Sequence, residues 1–202
     1  MKKLIIVLIV LVAATGSLAA TTQFFNLAYQ NYGEYEGTNF HRRSWGFSYT
    51  YLQEESGGLY AQVVPYLTTA SKTEGFDAYK YWKNDLFGGG LNFTIGYGMD
   101  YHNVEEYGLV FGGGFFTDLF AYRYSPTDFL FYNAKFGLAG GLRFYYLFGG
   151  GREVNPLSVN IGFDLAWHPL FLYGSNDFGF EEFIFEPLLF TYIISLGVGY
   201  HY

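Results

Sequence analysis

The stretch "TYIISLGVGYHY", residues 191–202, decides how the whole chain is read. Continued back to Leu189, it puts Phe190, Tyr192, Ile194, Leu196, Val198, Tyr200 and Tyr202 on one parity. Leu189, Thr191, Ile193, Ser195, Gly197, Gly199 and His201 fall on the other. In an extended strand these two sets point to opposite faces. One face is apolar throughout, while the other becomes small and polar along its C-terminal half. The fold therefore turns on what solvent the apolar face meets.

Composition narrows the answer. The 202 residues are half hydrophobic, 23% aromatic and only 14% charged, with 27 glycines, 21 tyrosines, 23 phenylalanines and no cysteine. The aromatic share is above globular usage and the charged share below it. The length predicts one domain. The lack of cysteine excludes disulfide frameworks, iron–sulfur sites, thiolate zinc ligation and a lipidated N-terminal cysteine. A net charge of −7 supplies no basic stripe to neutralise phosphates, so nucleic acid is not an expected partner.

The first twenty residues read as a signal peptide. Lys2 and Lys3 precede an apolar run from Leu4 to Ala14, and Ser17-Leu18-Ala19 supplies small residues for cleavage after Ala19 or Ala20. The run is short of the ~20 apolar residues a spanning helix needs, and no later stretch approaches that length. The expected organisation is a signal peptide over 1–20 and one β domain over 21–202. Losing the two lysines takes the formal charge from −7 to −9.

The same alternation recurs along the chain. Phe25, Leu27 and Tyr29 share a parity, as do Trp45, Phe47, Tyr49 and Tyr51. So do Leu91, Phe93, Ile95, Tyr97, Met99 and Tyr101, then Phe136, Leu138, Leu142, Phe144 and Tyr146, and then Leu157, Val159, Ile161, Phe163, Leu165 and Trp167. Two less regular runs, 59–68 and 107–117, bring the tally with the C-terminus to eight strands. In a soluble sandwich or lipocalin-like barrel the polar parity meets water and should be dominated by charged residues. Here it is mainly Gly, Ala, Ser, Thr and Asn, which suit the crowded inside of a narrow barrel. The bulky parity, rich in Tyr and Phe near strand ends, suits a lipid-facing wall with aromatic girdles. Lipid-immersed strands must close on themselves. The expected fold is all-β: an antiparallel up-and-down transmembrane β-barrel of eight strands, with ten left open by the aromatic segments 118–132 and 169–187. Connections near 54–58, 102–106 and 149–154 are short, and those at 31–43, 69–87, 118–132 and 169–187 are long, as in barrels with short periplasmic turns and longer outer loops.

The last eight residues carry a resemblance. Ser195, Gly197, Tyr200 and Tyr202 sit where the C-terminal assembly signal of bacterial outer-membrane proteins has a polar residue, a glycine and two closing aromatics. The chain resembles the small outer-membrane barrels of the broad OmpA/OmpX/OmpW/PagL-like type. That resemblance implies location in the cell outer membrane, contact with outer-membrane lipids, and transient dealings with the barrel-assembly machinery and periplasmic chaperones. It also offers porin-like and OmpW-like readings of function.

Candidate sites follow from parity. Asp100, Lys135, Arg143 and Asp164 share the inward parity of their strands, and an unpaired charge inside a barrel is costly, so they are expected to form a polar network that closes the lumen. Phe129, Phe131, Phe171, Tyr173, Phe178 and Phe180 are candidates for an apolar mouth at the outer loops, because exposed apolar patches mark contact surfaces. The preferred reading of the same segments is strand extensions or a plug folded into the mouth. No metal cluster, cofactor motif or catalytic set emerges. The lipid A deacylases of the PagL type carry a His-x-Ser-Asn arrangement on a late strand, whereas Ala166-Trp167-His168-Pro169-Leu170 lacks the serine. His168 is expected at the rim or lumen, and His102 and His201 as interface polar residues near the periplasmic end. The glycine triplets 88–90, 112–114 and 149–151 suit turns and tight packing. The leading expectation is a non-enzymatic outer-membrane barrel with a filled lumen and a structural or surface role. A conduit or binder of small apolar molecules comes second, and a lipid A-modifying hydrolase last.

Overall fold

The computed structural model describes residues 22–33, 39–40, 42–53, 57–69, 73–74, 86–104, 106–124, 129–149, 155–175, 179–185, 187 and 189–201. The expected signal peptide, Phe178 and Tyr202 lie outside them. Eleven strands follow in chain order: β1 (Thr22–Gly33), β2 (Asn39–Phe40), β3 (Arg42–Leu52), β4 (Gly58–Thr69), β5 (Thr73–Glu74), β6 (Leu86–Val104), β7 (Tyr107–Tyr124), β8 (Phe129–Leu147), β9 (Leu157–Ser175), β10 (Gly179–Phe185) and β11 (Phe190–His201).

Eight of them close a ring. The order β1-β3-β4-β6-β7-β8-β9-β11 is antiparallel throughout, and β11 returns to β1 from Thr22↔His201 to Gly33↔Phe190. The two-residue strands β2 and β5 pair with each other. Period-two alternation produces this ring because each barrel strand presents one set of side chains to the interior and the other to the outside.

The ten-strand alternative is corrected by the position of β10, which pairs with the upper part of β9 from Gly179↔Ser175 to Phe185↔Leu170. Below it, β11 takes the same edge of β9 from Phe190↔Trp167 downward. β10 and β11 are thus one descending strand, interrupted around Pro187, whose nitrogen has no hydrogen to donate to a ladder. The long loops expected at 118–132 and 169–187 are correspondingly short. β7 runs on to Tyr124, β8 starts at Phe129, and β9 reaches Ser175.

Opposite the end of the β9–β11 ladder, β9 carries a bulge. Phe136 pairs with Leu170 and Leu138 with Trp167, so His168 and Pro169 together face Gly137. Such an insertion bends the strand and changes which parity points inward. Asp164, Ala166 and His168 are buried on the inner face below it, and past it Phe171 comes directly across from the buried Lys135. Gly137 is required there, since a Cβ would lie 1.9 Å from the Trp167 carbonyl oxygen.

At the short-turn end, Gly57 (φ 122°) and Gly149 (φ 77°) adopt left-handed backbone that other residues rarely take. The wall is apolar outward: Phe47 is 71% exposed and Leu196 65%. The interior holds two apolar clusters, one at the short-turn end (Phe24, Leu52, Val110, Tyr145, Leu147) and one higher up (Ala28, Val64, Ile193). Between and above these clusters, buried polar residues share the interior with further buried aromatics such as Tyr60, Tyr66, Phe116 and Phe120.

Inward glycines make room for the large ones. The fully buried Tyr60 ring fills the space beside Gly112, where a Cβ would be 2.3 Å from it. Gly140, on the outward face, has open space around it, with its nearest neighbour at 4.0 Å. Gly112→Leu is therefore expected to overpack the lumen and destabilise the barrel by about 1–3 kcal/mol or more. Gly140→Ala should stay within about 0.5 kcal/mol of the parent. Denaturant unfolding in lipid nanodiscs followed by tyrosine and tryptophan fluorescence separates the two.

Candidate functional site

The lumen is crossed at successive heights by side-chain hydrogen bonds between strands distant in sequence. At mid-height the buried Arg143 of β8 meets Asp164 of β9 in a two-pronged pair, Nη1 to Oδ1 at 2.9 Å and Nη2 to Oδ2 at 2.8 Å. Gln62 of β4 donates to the same Asp164 oxygen at 2.9 Å and to Ser48 at 3.2 Å, which carries the link across the lumen to β3. Asn26 donates to Ser195 at 3.2 Å. Two glycines create the space: at Gly141 a Cβ would lie 1.8 Å from Asp164 Oδ1, and at Gly162 one would lie 2.5 Å from Ser195 Oγ and 3.1 Å from Arg143 Cγ. A planar guanidinium matches a carboxylate in two parallel bonds, and this geometry offsets much of the cost of desolvating both charges.

Toward the long-loop end, the Tyr66 hydroxyl donates to Asp118, and Asn92 to Gln30. Lys135 stands directly across the ladder from Asp118, and both are buried. Residues directly opposite share a face, so both side chains enter the same part of the lumen. Ser44 and Thr68 hydrogen-bond nearby. One step below Asp118 and Lys135, His168 Nε2 meets Thr191 Oγ1 at 2.8 Å, and its ring stacks on Phe116 at 5.9 Å.

At the short-turn end, Asp100 accepts from Tyr145 at 2.9 Å and from Thr22 at 3.2 Å. Thr22 Oγ1 lies 3.4 Å from His201 Nδ1, and Ser158 Oγ lies 2.9 Å from His201 Nε2. This corrects the expectation for His201, which is an inner residue and not an interface one: it is 1% exposed, with Phe24 and Tyr145 rings packed against it at 5.6 and 4.4 Å. Its parity with Ser195 and Gly197 was the available signal. His102, by contrast, is exposed. The serine–histidine contact has the atoms a nucleophilic site uses, but Ser158 is 0% exposed and the Phe24 ring and Gly199 leave no room for a substrate beside it.

Asp100, Lys135, Arg143 and Asp164 thus all face the lumen at different heights, and only Arg143 and Asp164 are joined to each other by hydrogen bonds among the four that are described. Sequence reasoning missed Gln62, Tyr66, Asp118, Tyr145, Thr22 and Ser158, whose roles depend on register. Among the mouth candidates, Phe129 and Phe131 belong to β8, Phe171 and Tyr173 to β9 and Phe180 to β10. The backbone brings Phe131 opposite Ser175, and Phe171 opposite both Lys135 and Ile184. Phe171 is half-buried.

The β3–β4 ladder has an interruption that sequence reading did not single out. Between β3 and β4 the pairing passes from Gly46↔Tyr66 to Tyr49↔Val63, and Phe47 and Ser48 face Val64 and Pro65 without a ladder pair. Pro65 has no N–H to give. An open apolar groove of about 470 Å³ lies outside this point, lined by Phe25, Leu27, Phe47, Tyr49, Val63 and Pro65. Val64, behind it, belongs to the apolar lumen cluster with Ala28 and Ile193. Among the described residues no group of three His, Cys, Asp or Glu side chains could hold a metal ion.

No family model and no curated protein matches the chain. Its fold is that of small eight-stranded outer-membrane barrels. Neisserial surface protein A superimposes with a TM-score of 0.55 at 10% identity, covering 90% of this chain and 96% of that one. OprG of Pseudomonas aeruginosa gives 0.55 at 13% identity over 91% and 98%. Ail, the attachment invasion locus protein of Yersinia pestis, gives 0.52 at 11% identity over 91% and 99%.

Removing one member of the central pair leaves a buried charge without its partner. Arg143→Met is expected to cost about 3–5 kcal/mol, and Arg143→Met with Asp164→Leu to recover a large part of that loss. Equilibrium unfolding of the two single variants and the double variant measures the coupling.

Proposed function

We propose that this chain is an integral outer-membrane barrel with a structural or surface role, in which the lumen serves as a packed core and not as a channel. The observation that carries the reading is the Arg143–Asp164–Gln62–Ser48 chain spanning the interior from β8 to β3, with further buried layers above and below it. An eight-stranded ring is narrow enough for side chains to fill. The apolar outer wall and the fold shared with outer-membrane proteins support placement in that membrane. On this reading residues 1–20 are removed on export, membrane lipids cover the wall, and the Ser195–Tyr202 signal engages the assembly machinery and periplasmic chaperones. On this reading the barrel is not an enzyme, and the Ser158–His201 contact described above, walled in by Phe24, serves packing. Fractionation should recover it with outer membranes, with heat-modifiable mobility on denaturing gels. Planar bilayers should show no porin-sized conductance steps; steps of that size would overturn the filled-lumen reading.

A second reading, binding or lateral passage of small apolar molecules, is favoured by the interrupted β3–β4 ladder. The unpaired Phe47–Pro65 step lies between the outer apolar groove and Val64 of the inner Ala28–Val64–Ile193 cluster. Trp45 is 56% exposed, two residues from Phe47 on the same face, and reports on this groove. In a variant with Trp82 and Trp167 replaced by Phe, a brominated fatty acid should quench Trp45 saturably. Pro65→Val, which restores a donor to the ladder, should weaken that binding. Quenching that only tracks bulk fatty acid in the bilayer, unaffected by Pro65→Val, would remove this reading.

A further inference from the structure

The ring closes where the first and last strands meet, and the side chains at that seam are arranged unlike those elsewhere in the lumen. Thr22 and His201 form the lowest pair of the β1–β11 ladder. His201 is held from three further strands: Ser158 of β9 at Nε2, the Tyr145 ring of β8 at 4.4 Å, and, through Thr22, Asp100 of β6. Thr22 and Phe24, the two β1 partners, reach His201 only once β1 has paired with β11.

The proton arrangement follows from the partners. Thr22 donates to Asp100 Oδ2, so its oxygen is free to accept from His201 Nδ1–H. Nε2 then accepts from the Ser158 hydroxyl. Asp100 also receives the Tyr145 hydroxyl, which orients the far end of the chain. Ser158 can approach because Gly199 has no side chain; a Cβ there would lie 2.4 Å from Ser158 Oγ and 2.7 Å from the Phe24 ring. Level with this network, and one step above it at Phe24 and Tyr145, sits the apolar plug of Phe24, Leu52, Val110, Tyr145 and Leu147. Phe24 and Tyr145 belong to both, so the contacts that hold His201 also hold the plug.

We propose that His201 is a closure latch. It couples pairing of the terminal strands to sealing of the short-turn end, acting as a positioning residue that ties β11 to β1, β8 and β9 and indirectly to β6. Ladder hydrogen bonds make the seam one pairing among eight. The latch makes its lower end resist opening more than those bonds alone, because parting β1 from β11 there also breaks the Thr22 and Phe24 contacts of His201.

His168 provides the comparison. It too is a buried lumen histidine, but its described side-chain contacts, Thr191 and Phe116, lie on β11 and β7. The test is amide hydrogen exchange read by mass spectrometry on the full barrel folded into nanodiscs. His201→Ala should speed exchange in β1 and β11 by about tenfold while leaving the β6–β7 ladder unchanged. Thr22→Val and Ser158→Ala should give the same pattern at smaller size, and His168→Ala should not give it. Unchanged exchange in His201→Ala, a uniform rise over all strands, or the same seam-confined pattern from His168→Ala would each overturn the latch. If His201→Ala yields no folded barrel, Thr22→Val decides alone: acceleration confined to the seam supports the latch, and uniform acceleration or none overturns it.

Discussion

Closure of the backbone ladder is the constraint on which everything else in this protein depends. An apolar outer wall offers no hydrogen-bond partner to an N–H or C=O, so each must be paired within the ring. The β1–β11 seam and the seven other pairings meet that demand around the circumference. The exceptions are then informative. Pro65 removes a donor from the middle of the wall, and the chain near Pro187 leaves the ladder between β10 and β11. Both are places where backbone pairing yields to another requirement, and the first coincides with apolar surface on both sides of the wall.

Closure at eight strands also sets the volume inside. A ring of this size has room for side chains and little else, so the inner face must be fitted piece by piece. Inward glycines are the complement of the inward large residues: Gly112 of Tyr60, Gly141 and Gly162 of the Arg143–Asp164 pair, Gly199 of Ser158 and Phe24. The charges are tolerable because Asp100 and Asp164 accept from donors on other strands, Arg143 pairs with Asp164, and Lys135 stands across the ladder from Asp118. This arrangement makes the lumen a polar core enclosed by an apolar wall, the reverse of a soluble barrel. Rigidity of that core underlies the reading of the chain as a scaffold, while the groove at the Pro65 step underlies the reading of a ligand on the wall.

The outer half shows how a local irregularity redistributes side chains. The bulge at His168–Pro169 shifts the inner parity of β9, so Phe171 comes level with Lys135 on the face that His168 occupies below. The aromatic segments are largely upward continuations of β7, β8 and β9, in line with the strand-extension reading, with β10 paired along the upper edge of β9. A surface built on paired strands is stiffer than one built on loops, which bears on any partner that meets it.

The sequence by itself determined the strands, the faces and the class of fold. Period-two alternation is local, and the identity of the small parity, Gly, Ser, Thr and Asn, reported the narrow interior directly. It also marked Asp100, Lys135, Arg143 and Asp164 as inward residues, because facing depends only on position along one strand. Their partners were beyond its reach. Arg143 meets Asp164, Gln62 reaches across from β4, and His201 meets Thr22 from the other end of the chain, all through register and stagger between strands, which no single strand encodes. Strand count near 169–187 was likewise ambiguous, since those residues have β character whether they join the ring or extend it. Tertiary structure decided the matter because β11 occupies the lower edge of β9, leaving β10 only the upper part, and a ring of antiparallel strands has one place for each.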